Sequence, residues 1–109
     1  MKTKGSRRPR LPFCDITNGE SKAAIRGGRW VYGTPIVSPS PRWLDTVAGL
    51  RVDFVFIDTE HIALDRAQLS SMCHAYRARG LPALVGIPAP DAYAACMAFD
   101  GGAGGVIAP

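Results

Sequence analysis

Three side chains able to hold or move a proton stand within four consecutive positions: Asp58, Glu60 and His61. An imidazole changes charge near neutral pH, and a carboxylate beside it orients the ring and stabilises its protonated form, so the spacing suits general acid–base work. The run before them, Val52-Asp53-Phe54-Val55-Phe56-Ile57, is rich in β-branched and aromatic residues and too short for a helix. It reads as a buried parallel strand whose carboxyl end delivers the two acids and the imidazole into a loop. Chemistry in α/β proteins gathers at such strand ends, because the sheet fixes the backbone while the loop is free to vary. A plainer reading stands beside it, since a histidine ending a strand is commonly a hydrogen-bonded structural residue. His74 lies inside a predicted helix beside Cys73, where packing or solvation accounts for it.

Other groups are weaker signals. Ser38 and Ser40 fall at the carboxyl end of the first predicted strand and are placed to donate to a substrate carboxylate, although helix capping by itself explains Ser40. The run Asp100-Gly101-Gly102-Ala103-Gly104-Gly105 precedes a strand, whereas a dinucleotide-binding fingerprint follows one and opens a helix. Tight helix-to-strand packing explains these glycines better. Cys14, Cys73 and Cys96 are odd in number and lack a C-x-x-C spacing, which points to reduced thiols packed as small apolar residues, without a disulfide or a zinc site.

The elements that position these groups alternate. A short helix is expected over residues 21–26, closed by Gly27-Gly28, then a strand over residues 31–37 in which Pro35 signals an edge. Ser40-Pro41 opens a helix burying Leu44, Val47 and Ala48. After the strand over residues 52–57, Asp65 and Gln68 make a capping box, and Leu69, Met72, Cys73 and Tyr76 recur with helical period until Gly80 and Pro82. A strand over residues 83–87 follows. Asp91 then caps a helix burying Tyr93, Cys96 and Met97, and the last strand runs over residues 105–108. Strand and helix in strict alternation predict a parallel sheet joined by right-handed crossovers. No helix follows the last strand to cover it.

The chain of 109 residues, 47% hydrophobic and 20% charged, holds at most one core. Its net charge of +4 is concentrated in Lys2, Lys4, Arg7, Arg8 and Arg10. Without them eight basic face nine acidic residues, so residues 1–20 read as a poorly ordered basic extension and the remainder as nearly neutral. No aromatic residues interleave the basic ones, which argues against nucleic acid as a partner. No apolar run approaches a membrane span or a signal peptide, so neither a membrane association nor export is expected, and the location is read as cytoplasmic.

Three segments together carry a resemblance: Phe54-Val55-Phe56-Ile57-Asp58-Thr59-Glu60-His61, Leu84-Val85-Gly86-Ile87-Pro88, and Phe99-Asp100-Gly101-Gly102-Ala103-Gly104-Gly105-Val106-Ile107-Ala108-Pro109. In order and spacing they resemble the HpcH/HpaI aldolase and citrate lyase beta-like family, from about Ser21 onward. The resemblance implies part of a TIM (β/α)8 barrel, its N-terminal half, ending near the fourth of eight strands. It implies a carbon–carbon lyase acting on a 2-oxo acid such as pyruvate and an aldehyde, through an enolate on a divalent metal (Mg, Mn or Co), in a homo-oligomer. It makes His61 the base, gives Asp100 the task of raising its basicity, and leaves Asp58 to position the histidine or the metal-bound water. Ser38 and Glu60 are placed with the substrate. At Gly86 the family usually has arginine, which steadies the 2-oxo acid, and glycine offers neither donor nor charge. The metal ligands of the family match no residue up to Pro109, so the chain alone is expected to be weakly active or inactive. Two alternatives are a non-catalytic remnant and a half-barrel module that assembles through its open sheet edge.

Overall fold

The computed structural model describes residues 23–109. The expected basic extension and Cys14 lie outside them, as do the first two residues of the expected first helix. Residues 23–26 form a helical turn, followed by a turn at Gly27 and Gly28. The remaining elements are β1 (Gly33–Ile36), α1 (Arg42–Ala48), β2 (Phe54–Asp58), α2 (Arg66–Ala78), β3 (Ala83–Gly86), α3 (Ala92–Asp100) and β4 (Gly105–Ile107). The four strands lie in the order β1-β2-β3-β4, each pair parallel, as the alternation predicts. The strands are one to three residues shorter than read from the sequence: β1 and β2 each start two residues later, β1, β3 and β4 end one residue sooner, and β2 runs on to Asp58.

Register explains the core. Ile36, Val55, Ile57, Ala83 and Val85 project to the face covered by the helices and are buried. The intervening residues, Pro35, Phe54, Phe56 and Leu84 among them, project to the opposite face and keep contact with solvent. Period-two alternation thus gives the sheet one packed face and one open face.

Helix α2 packs Met72, Cys73 and Tyr76 on the sheet. Its start is the expected capping box: Gln68 N–H donates to Asp65 Oδ1 at 2.7 Å, and Asp65 N–H donates to Gln68 Oε1 at 3.0 Å. At its end Arg77 donates to the Gly102 carbonyl at 2.7 Å and Arg79 pairs with Asp45 of α1 at 2.6 Å. The Tyr76 hydroxyl is buried and has no hydrogen-bond partner among the described residues. Burial pushes the Cys73 thiol up to about 11, against a smaller opposing effect of Arg77, so it packs as an inert apolar group.

Two expectations are corrected. Helix α1 starts at Arg42, with Pro41 before it, so the register is one residue later than read, although Ser40 Oγ still accepts the Arg42 N–H at 3.3 Å. In α3, Tyr93 and Cys96 are exposed and Ala98 is buried, with Ala94, Ala95 and Met97 half-buried beside it. The small alanines let this helix approach the sheet closely, and the larger side chains are left on the outward stripe. In the glycine run the close packing is of Gly102 against helix α2, where a contact between helix and strand was expected. Gly102 has a φ of +111°, and a Cβ there would meet the His74 ring at 2.9 Å and Cys73 Cβ at 3.3 Å.

Candidate active site

The carboxyl end of β2 holds the Asp58-x-Glu60-His61 cluster as a single hydrogen-bonded corner. Asp58 Oδ1 accepts the backbone N–H of Glu60 at 2.7 Å and of His61 at 3.2 Å, which folds the chain back over the strand end. Its other oxygen, Oδ2, lies 2.9 Å from His61 Nδ1. An ionised carboxylate only accepts, so Nδ1 carries the proton and Nε2 is left as the free, basic nitrogen. Glu60 Oε1 stands 3.9 Å from Nδ1, and the imidazole is 72% exposed. Next to it Thr59 donates to the Gly86 carbonyl twice, from its N–H at 3.0 Å and from its hydroxyl at 2.7 Å.

The electrostatics follow from these contacts. The hydrogen bond to Asp58, then the charges of Asp58 and Glu60, raise the His61 pKa above its ordinary value. For Asp58, partial desolvation acts upward, but the hydrogen bonds from the His61 ring and from the Glu60 and His61 backbones, with the imidazolium charge, bring the pKa below the ordinary one. The pair is therefore a base strengthened by a carboxylate that stays ionised.

The remaining candidates divide by rim. Ser38 follows β1 at the same carboxyl rim, where its Oγ accepts the Ser40 N–H at 3.1 Å and serves the loop. Gly86 pairs with Asp58 across β2 and β3, so both project to the open face. A Cβ on Gly86 would sit 3.8 Å from Asp58 Oδ1 and only 2.8 Å from the Phe56 ring. Phe56 therefore fills the space an arginine stem would need, a feature that spacing in the sequence does not reveal. Asp100 ends α3 beside the start of β4, at the amino rim, and is exposed. It is not brought together with His61 within this chain. A groove of about 560 Å³ between α2 and α3 is lined by Thr59, Ser70, Ile87, Met97 and Asp100, on the helix side of the sheet and away from His61.

Ligand atoms of Asp58, Glu60 and His61 lie within 4.8 Å of one another. The donor set does not suit a divalent cation. Both oxygens of Asp58 already accept hydrogen bonds, and the nearer imidazole nitrogen carries the proton of one of them. A metal held by Asp58 and His61 Nδ1 would have to displace contacts that build the loop, and only Glu60 and the outward His61 Nε2 stand outside them.

The chain matches several solved structures over most of its described length. It aligns with the citrate synthase SbnG at a TM-score of 0.73 and 32% identity, covering 81% of this chain and 36% of that one. An HpcH/HpaI aldolase from Desulfitobacterium hafniense DCB-2 aligns at 0.69 and 26%, covering 78% and 33%. Macrophomate synthase aligns at 0.67 and 26%, covering 84% and 32%. The chain resembles the HpcH/HpaI aldolases in fold and sequence. Its four parallel strands and their helices are a partial TIM barrel of that type. The chain spans about a third of the length of these structures. No family model and no curated protein sequence matches it. Among the described residues no helix is long and apolar enough to cross a membrane.

Proposed function

We propose that this chain carries the proton-transfer corner of a carbon–carbon lyase acting on a small 2-oxo acid. The observation that supports it is the 2.9 Å contact of Asp58 Oδ2 with His61 Nδ1 at a strand's carboxyl end, which leaves a strengthened base, Nε2, facing outward. In this reading His61 removes or returns the proton next to the substrate carbonyl, Asp58 holds the ring and its tautomer, and Glu60 and Ser38 border the substrate. The solved relatives named as aldolase and synthases point to the same class of chemistry. A divalent metal of the aldolase reading supplies enolate stabilisation when bound. Asp58 and His61 are committed to each other, so its ligands have to come from outside this corner. Asp100, at the other rim, acts on a histidine only across a subunit boundary.

The test is exchange of the pyruvate methyl protons in deuterated water, with Mg, Mn or Co present, followed by NMR. The expected outcome is exchange above the metal-only background that falls at least about 100-fold in His61→Asn. Equal exchange in the variant would overturn the role of His61. A specific observation favours a second reading, a non-catalytic remnant: Phe56 covers Gly86 and leaves no room for an arginine stem at that position. Exchange that is at background in the folded wild-type chain and is restored by Gly86→Arg together with Phe56→Ala would select that reading.

A further inference from the structure

The hydrogen bonds that shape the His61 corner are local. Asp58 accepts from the Glu60 and His61 backbones and from the His61 ring, all within three residues of itself. Such a knot fixes these residues to one another, but it does not fix them to the sheet. Among the described residues, the hydrogen bonds that leave the stretch from Thr59 to Leu64 for another element both come from Thr59, and both end on the Gly86 carbonyl of β3. The strand pairing explains why one carbonyl receives two. Val55 N–H donates to the Pro82 carbonyl and Thr59 N–H to that of Gly86, so the next rung of this parallel ladder would need an N–H from residue 88. Residue 88 is proline and has none. The ladder therefore stops at Thr59, and its hydroxyl doubles the last rung, at 2.7 Å against 3.0 Å for the N–H.

The two sides of the sheet divide the work. Thr59 shares the parity of Ile57, and its half-buried side chain lies on the helix side, bordering the groove with Leu64, Val85 and Ile87. Asp58 projects from the opposite face and holds the imidazole there. Both strands concerned are inner ones, with β1 beyond β2 and β4 beyond β3. We infer that Thr59 is a positioning residue, whose hydroxyl pins the end of β2 to β3 from behind and so sets the Asp58 carboxylate at hydrogen-bonding distance from the His61 ring. The role in catalysis rests on the reading of His61 as the base.

The test is an NMR titration of His61 in the full chain, with nitrogen shifts to read its tautomer, in Thr59→Val and Thr59→Ser. Valine keeps the shape and loses the hydroxyl; serine keeps the hydroxyl and loses the methyl. The Gly86 carbonyl still accepts the Thr59 backbone N–H in both, so no buried acceptor is left bare. Asp58 and then Glu60 are the charged groups that act on His61, and both remain, so a change reports their placement. In Thr59→Val the His61 pKa should fall toward its ordinary value and the share of Nδ1–H tautomer should drop, whereas Thr59→Ser should match wild type. A wild-type titration and tautomer in Thr59→Val, whatever its stability, overturns the inference, as does an equal fall in both variants. Should Thr59→Val not fold, Thr59→Ala removes the hydroxyl without setting a methyl against the carbonyl. Loss of the fold in both would assign the hydroxyl to stability alone and overturn the inference too. Pyruvate exchange at background would remove the lyase reading without altering the titration, so the two failures are told apart.

Discussion

The two faces of the sheet are built from the same strands and have opposite fates. On one, Val55, Ile57 and Val85 are fully buried under three helices. On the other, Phe54 and Phe56 lean across glycines of neighbouring strands, Gly33 and Gly86, and remain half-buried. The packed face supplies stability, and the other supplies the surface on which Asp58 and Gly86 meet. A side chain one position along a strand therefore changes role entirely, from core to site wall.

Substitutions at adjacent positions test how different the faces are. Ile57→Ala on the packed face should cost about 2–5 kcal/mol in denaturant unfolding. Phe56→Ala, one residue earlier, should cost less than half as much in the monomer; equal costs would mean that the open face is covered. Gly86→Arg should destabilise by about 1–3 kcal/mol, because its stem collides with Phe56. The double variant with Phe56→Ala should recover most of that loss, a coupling read from a double-mutant cycle. Asp65→Ala removes half of a capping box and should cost about 1 kcal/mol. Tyr76→Phe removes a buried unpaired hydroxyl and should raise stability by up to about 1 kcal/mol.

The smallest effect on stability and the most direct readout of the corner come from pH. Folding raises the His61 pKa, so its contribution is present below the ordinary imidazole value and is lost as pH climbs through the raised one. Folding lowers the Asp58 pKa, so its contribution is present above the ordinary carboxyl value and is lost as pH falls through the lowered one. An NMR titration should place His61 above its ordinary pKa in wild type and lower it in Asp58→Asn. No change in the variant would remove Asp58 as the cause.

The sequence was most legible where one physical signal dominated. Alternation and turn residues gave four parallel strands, and the Asp65–Gln68 spacing gave a helix start to the residue. The Asp58–His61 pairing was legible for the same reason, since three residues of chain leave a carboxylate and an imidazole few ways to avoid each other. Helix α3 was misread because Tyr93 and Cys96 look like core residues by type, whereas close approach to the sheet selects Ala94 and Ala98. The Phe56–Gly86 contact was illegible because it joins residues on different strands, 30 positions apart, and its logic is steric.

The double grip of Thr59 on the Gly86 carbonyl has a consequence for how the rim can respond to an arriving molecule. It ties the first loop residue after β2 to the neighbouring strand, so the backbone under Asp58 cannot swing without breaking both bonds. Any adaptive motion is confined to the stretch between His61 and the helix cap at Asp65. The imidazole is thus aimed before anything binds, and the ordering cost is met when the chain folds and not at each encounter.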